Sequence, residues 1–93
     1  MTSNAALASV VLDETLAWGV RDFVVCTGAR NAPLVLPLLN APETIKLWRH
    51  FEERAAGFFA LGLAKRDRRP VAVVTTSGTA VAELMPAVIE AHY

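Results

Sequence analysis

The run Val71-Ala72-Val73-Val74-Thr75-Thr76-Ser77-Gly78 reads as a short strand that empties into a hydroxyl-rich turn. Its strand part is unbroken and β-branched, with no polar alternation. That suits a strand covered on both faces, as in a parallel sheet. Ahead of it lie a solvated charged loop over residues 66–70 and a helix over residues 52–65. The helix body, Ala55-Ala56-Gly57-Phe58-Phe59-Ala60-Leu61-Gly62-Leu63-Ala64, is apolar all round and is expected to be buried on every side. Further back, Ile45-Lys46-Leu47-Trp48 is a second strand, and Asn40-Ala41-Pro42 breaks the chain before it. Pro33 fits the first turn of a helix reaching about Leu39, which Pro37 would kink or shorten. Asp22-Phe23-Val24-Val25-Cys26 is a short buried strand, and Thr27-Gly28-Ala29-Arg30-Asn31 is its turn. Ser3 or Asn4 can cap a first helix that runs to about Trp18 and is closed by Gly19. On the far side of the opening run, a last helix starts near Thr79, which can cap it. It is still running at Tyr93, with Pro86 as a kink.

Helix and strand therefore alternate. This predicts an α/β fold, a parallel sheet with helices on both faces. In such sheets the strand-to-helix loops emerge at the carboxyl edge, where ligands bind. Three loops should gather there, over residues 27–31, 50–54 and 75–79, and bring together Arg30, Glu53 and the Gly78 turn. Doubly wound sheets carry about five or six strands. The chain closes on Glu90-Ala91-His92-Tyr93 with neither a Gly stop nor a further strand. Residues 1–93 are thus expected to be the front part of a larger domain, incomplete by themselves.

Length and charge narrow the function. Ninety-three residues make one domain at most. Net charge is zero, and Asp67 interrupts Arg66, Arg68 and Arg69, so nothing points to nucleic acid or a membrane surface. Apolar residues are 54% of the chain, above the usual ~45–50%. A domain this small buries little of its own surface, so the surplus is expected to face another domain or subunit. The single cysteine, Cys26, excludes an internal disulfide, suits a reducing cytoplasm, and reads as a buried inert thiol. No run reaches the ~18 apolar residues of a membrane span. Met1-Thr2-Ser3-Asn4 supplies no basic segment ahead of residues 5–12, which argues against a signal peptide.

Glu53 stands out among the candidate residues. A carboxylate at the mouth of an apolar helix is costly to desolvate unless paired, and such acids are often functional. The plainer alternatives are that it caps its own helix or pairs with Arg49 or Arg54. Arg30 is either a solvated loop residue or a fork for a carboxylate. His50 reads as filling a strand end and His92 as solvated. Trp18, Trp48, Phe58 and Phe59 read as core or subunit interface. Gly57 and Gly62 read as places where another helix comes close.

At these same loops the sequence resembles a known family. Gly28-Ala29-Arg30-Asn31-Ala32-Pro33-Leu34, His50-Phe51-Glu52-Glu53-Arg54, Ala60-Leu61-Gly62-Leu63-Ala64-Lys65, Pro70-Val71-Ala72-Val73-Val74, Thr76-Ser77-Gly78-Thr79-Ala80-Val81-Ala82 and Pro86-Ala87-Val88-Ile89-Glu90-Ala91 recur in that order. They resemble the start of the pyrimidine-binding domain of the thiamine-diphosphate enzymes of the MenD family, which serve menaquinone biosynthesis. The resemblance implies decarboxylation of 2-oxoglutarate and addition of the succinyl unit to isochorismate. It implies that Glu53 is the catalytic glutamate that hydrogen-bonds the aminopyrimidine ring of the cofactor and favours its imino tautomer. Burial favours a neutral carboxyl and a helix N-terminus the charged one, a balance that suits proton sharing. Glu52, one residue away on the helix, is expected to point elsewhere.

By the same resemblance Arg30 and the residue at Ala29 meet substrate carboxylate, and Thr76, Ser77 and Gly78 lie by the cofactor. The usual pattern around the arginine is Pro-Gly-Ser-Arg-Ser, whereas this chain has Thr27-Gly28-Ala29-Arg30-Asn31, so Ala29 lacks the hydroxyl expected to touch substrate. The family's diphosphate and Mg2+ are held by a separate domain with a Gly-Asp-Gly-type motif that this sequence lacks, so no metal ligand is expected here. The family's site also forms between subunits, which implies a homo-oligomer and a fragment inactive alone. Two other readings remain: a non-catalytic remnant or interaction module of the same fold, and another thiamine-diphosphate enzyme resembling acetolactate synthase.

Overall fold

The computed structural model describes residues 3–93. Met1 and Thr2, on which the reading against a signal peptide partly rests, lie outside the described residues. Helices α1 (Asn4–Ala17), α2 (Ala32–Leu39), α3 (Glu53–Asp67), α4 (Thr79–Ala82) and α5 (Met85–His92) alternate with strands β1 (Asp22–Cys26), β2 (Lys46–His50) and β3 (Ala72–Val74). The sheet is parallel, in the order β2-β1-β3. This is the expected α/β arrangement with helices on both faces. Among the described residues no helix is long and apolar enough to cross a membrane.

β1 sits in the middle and is buried along its whole length. Its side chains alternate between two cores, as strand geometry requires. Phe23 and Val25 join Leu12 of α1 and Val35 and Leu38 of α2 on one face. Val24 and Cys26 meet Ala56, Ala60 and Leu63 of α3 on the other. Phe23, Val24 and Val25 are fully buried, each contributing about 1.5–3 kcal/mol by removal from water.

The connections follow local chemistry. The Ser3 hydroxyl accepts from the Ala6 amide at 3.1 Å and caps α1. Gly19, at φ +90°, ends it in a Schellman turn, with the Gly19 amide on the Leu16 carbonyl and the Val20 amide on the Thr15 carbonyl. At the amino edge of the sheet the buried Asp22 carboxylate accepts from Trp48 Nε1 at 2.9 Å and lies 3.7 Å from the Arg69 guanidinium. That bond ties β1 to β2 from the end opposite the loops.

Three expectations need correction. α3 is not buried on all sides: Ala56, Gly57, Ala60 and Leu63 form one buried stripe, Phe58 (44% exposed) faces outward, and the partly exposed Phe59 packs edge-on against the Trp48 ring at 5.2 Å. Trp18, at 75% exposed, is not in the core of this chain, and the interface alternative stands. Gly57 does admit a helix, since a Cβ there would stand 3.0 Å from Ala87 Cβ of α5, but Gly62 faces open space. The last helix is two helices. Pro86 sits in the first turn of α5, where its missing N–H costs nothing, instead of kinking a continuous helix.

Candidate functional site at the carboxyl edge

The strand register sets the site. Cys26 pairs with His50 and Val25 with Val74, so the three strands finish nearly level and their junctions share one edge. β2 runs two residues further than its apolar pattern suggests. The loop before α3 is therefore only Phe51 and Glu52. His50 closes the strand, its ring 5.7 Å from that of Phe59.

The junction after β1 folds around Asn31. This residue is 5% exposed. Its Nδ2 donates to the Cys26 carbonyl at 2.8 Å, and its Oδ1 accepts from the Gly28 amide at 3.0 Å. One carboxamide thus satisfies both ends of the turn, which tightens into a short 3-10 turn over Ala29–Asn31. Ala29 and Arg30 are left exposed at its crest.

The first and third junctions touch. A Cβ on Gly28 would lie 2.8 Å from Thr76 Cβ, so only glycine permits this approach. Arg30 Nη1 donates to Ser77 Oγ at 3.3 Å across the gap. Gly78 takes φ +77°, a conformation open to glycine, and turns the chain into α4. The cap here is Gly78, not Thr79, and no side chain serves it.

The second junction separates two neighbouring acids. Glu52 is the N-cap of α3: its Oε1 accepts from the Arg54 amide at 3.0 Å and its Oε2 from the Ala55 amide at 2.9 Å. The Ala55 amide foremost, with the Arg54 amide and the charges of Arg54 and His50, holds the Glu52 carboxyl below its ordinary range. Glu53, the first residue of the helix, is half-buried. Among the described residues no hydrogen bond or ion pair engages it. The expected alternatives, capping its own helix or pairing with Arg49 or Arg54, do not occur. Its charge reaches the end of β1. Burial chiefly, and then Glu53 and Glu52, push the Cys26 thiol above its ordinary value. Cys26 is buried and free.

The edge therefore presents a guanidinium, a glycine-hinged hydroxyl turn and an unengaged carboxylate. Residues 5–93 match the family described as thiamine pyrophosphate enzyme, N-terminal TPP binding domain. The chain belongs to this family. Its relatives include proteins named 2-succinyl-5-enolpyruvyl-6-hydroxy-3-cyclohexene-1-carboxylate synthase. The one from Bdellovibrio bacteriovorus is 55% identical over 91 residues, covering 98% of this chain and 17% of that protein. The one from Mycobacterium sp. strain KMS is 53% identical over 95 aligned positions, covering all of this chain and 17% of that protein. The one from Akkermansia muciniphila is 52% identical over 93 residues, with the same coverage. The chain thus spans 17% of the length of these relatives.

Two features of this thiamine pyrophosphate enzyme domain escaped the sequence. Asn31 was legible only as a turn residue, although an Asn beside a Gly turn is a known signal for side-chain closure of the backbone. Asp22 read as part of a strand, and nothing in the sequence marked Trp48 as its partner.

Proposed function

We propose that this chain is the N-terminal portion, a partial pyrimidine-binding domain, of a thiamine-diphosphate-dependent carboligase. The enzyme decarboxylates 2-oxoglutarate and adds the succinyl unit to isochorismate in menaquinone biosynthesis. The observation that carries the reading is Glu53. It is a half-buried carboxylate at the carboxyl edge with both oxygens unengaged among the described residues, because Glu52 serves the helix amides.

The residues fit the cofactor's pyrimidine half. Glu53 offers an acceptor that can hold or release a proton at an aminopyrimidine nitrogen. Thr76, Ser77 and Gly78 form the small-residue turn after β3 at the same carboxyl edge, and they are assigned to the cofactor. Thiamine diphosphate, when bound, supplies the electron sink for decarboxylation and transfer. Arg30, exposed and permanently charged, binds and orients a substrate carboxylate. Ala29 flanks that carboxylate with no hydroxyl to offer. Among the described residues no group of three or more His, Cys, Asp or Glu side chains could hold a metal. The reading assigns Mg2+ and the diphosphate to parts of the enzyme outside this chain, with a second subunit completing the site of a cytoplasmic homo-oligomer.

The test is Glu53→Gln in the full-length enzyme. Losing the general acid–base group should lower kcat by about 10²–10⁴-fold with an unchanged circular dichroism spectrum. Glu52→Gln, which touches only helix amides, should lower kcat far less. Turnover preserved in Glu53→Gln removes this residue from the mechanism.

A further inference from the structure

We propose that Asn31 is a positioning residue for Arg30, setting the affinity of the site for a substrate carboxylate without touching the substrate itself. The inference rests on the reading of Arg30 given above and extends it to a residue that the resemblance does not assign.

Arg30 stands on an exposed crest, and its only hydrogen bond among the described residues is the 3.3 Å contact with Ser77. A long, flexible side chain held so loosely depends on its backbone for aim. That backbone is held from below by Asn31. The buried carboxamide donates to the Cys26 carbonyl, which belongs to the fully buried central strand, and accepts from the Gly28 amide. It therefore fastens the turn to the buried central strand. The second fastening is the Gly28–Thr76 approach, which fixes the distance to the neighbouring junction. Between these two points Arg30 has one register over Ser77. Releasing the carboxamide frees the turn while leaving the guanidinium chemically intact. A bidentate fork onto a carboxylate needs two parallel donors in one plane and tolerates little rotation of its base.

The experiment uses the full-length enzyme and measures KM for 2-oxoglutarate and isochorismate separately from kcat. Arg30→Ala is the reference and should raise KM for one of the two by roughly 10-fold or more, the loss of a charged hydrogen bond. Asn31→Asp keeps an acceptor for Gly28 but cannot donate to Cys26. It should raise KM for the same substrate by about 3- to 10-fold, with kcat within twofold of the parent. Asn31→Ala, losing both bonds, should raise it further. In an Arg30→Ala background, Asn31→Asp should raise KM no further, because Asn31 acts only through Arg30.

A KM effect of Asn31→Asp that persists undiminished without Arg30 overturns the proposal. So does an Asn31→Asp variant, folded by circular dichroism, whose KM is unchanged while Arg30→Ala raises it. If Arg30→Ala itself leaves both KM values unchanged, the underlying reading of Arg30 fails and the proposal falls with it. If both Asn31 variants fail to fold, as judged by circular dichroism, the residue is structural and the positioning role is withdrawn.

Discussion

Gly28→Ala tests whether the first and third junctions are joined as the structure has them. The backbone at Gly28 has φ −162°, which any residue adopts, so the substitution adds no conformational strain. Its effect is purely steric. The new methyl would meet Thr76 Cβ at 2.8 Å and Thr76 Oγ1 at 3.1 Å. Thr76 Cβ is anchored directly to backbone and cannot swing aside. The loops must therefore part by roughly 0.7 Å to reach the ~3.5 Å of ordinary carbon contact. The Arg30–Ser77 bond, already 3.3 Å long, does not survive that displacement. Overpacking of this kind costs about 1–3 kcal/mol. If the loss is confined to the two loops, amide exchange there accelerates by roughly 5- to 150-fold while the central strand is unaffected. Hydrogen exchange by mass spectrometry on the full-length protein, following peptides over residues 27–34 and 75–82 against one over residues 22–26, reads this directly. The compensating variant is Thr76→Gly, which removes the obstructing carbon at a backbone cost of about 1 kcal/mol. Combined with Gly28→Ala it should recover most of the lost protection, a coupling only touching residues show. Unchanged protection in Gly28→Ala, or strictly additive effects in the pair, would refute the contact and the argument built on it.

Glu52 gives a pH signature. Its folded carboxyl lies below the ordinary value of 4.5, so its stabilisation is present above that value and is lost as pH falls through the folded one. Melting temperatures of the parent and Glu52→Gln should differ at neutral pH and converge in acid; a gap that persists in acid contradicts the capping role. Cys26 behaves in the opposite sense. Its thiol is raised from 9.0, chiefly by burial, so the fold gains from the neutral thiol below the unfolded value and loses that advantage as pH rises above it. Iodoacetamide should label Cys26 far more slowly in native protein at pH ~8 than in urea, close to the ~8.5 of a free thiol. Equal rates would show that the thiol is neither buried nor perturbed.

Much of the fold was legible because, Asp22 apart, β1 and β3 are short unbroken apolar runs; β1 is buried between helices, while β3, at the sheet edge, is half-buried. β1 was read to its last residue. β2 was read short because its last two residues, Arg49 and His50, pair through backbone register with Val25 and Cys26, and register leaves no mark on side-chain type. α3 was read as wholly buried because composition records apolar residues but not neighbours. Its inner stripe is small, built from Ala56, Gly57 and Ala60, which lets β1 and α5 come close, while the bulky Phe58 is exposed and Phe59 lies to the side against Trp48 and His50 of β2. The candidate site was legible as three loops with named chemistry. What holds those loops was not, because the 2.8 Å bond from Asn31 to the Cys26 carbonyl is made only once the turn has folded back onto the end of β1.

The adjacent acids at the start of α3 illustrate how a candidate site residue is kept available. A helix N-terminus presents unsatisfied amides, and the nearest anionic side chain is drawn to them. Ser, Thr, Asp and Asn serve best as caps because they are short. Glutamate reaches the same amides only by folding back, as Glu52 does with both oxygens. A lone glutamate at this junction would have the same opportunity, and its oxygens would then be committed to its own backbone. With Glu52 occupying the Arg54 and Ala55 amides, the helix makes no such demand on Glu53. The following residue, rotated by about 100° around the helix axis, projects from a different side of that end. The second acid thus starts a helix whose first amides the neighbouring acid has already met, and its carboxylate oxygens are left without a partner among the described residues.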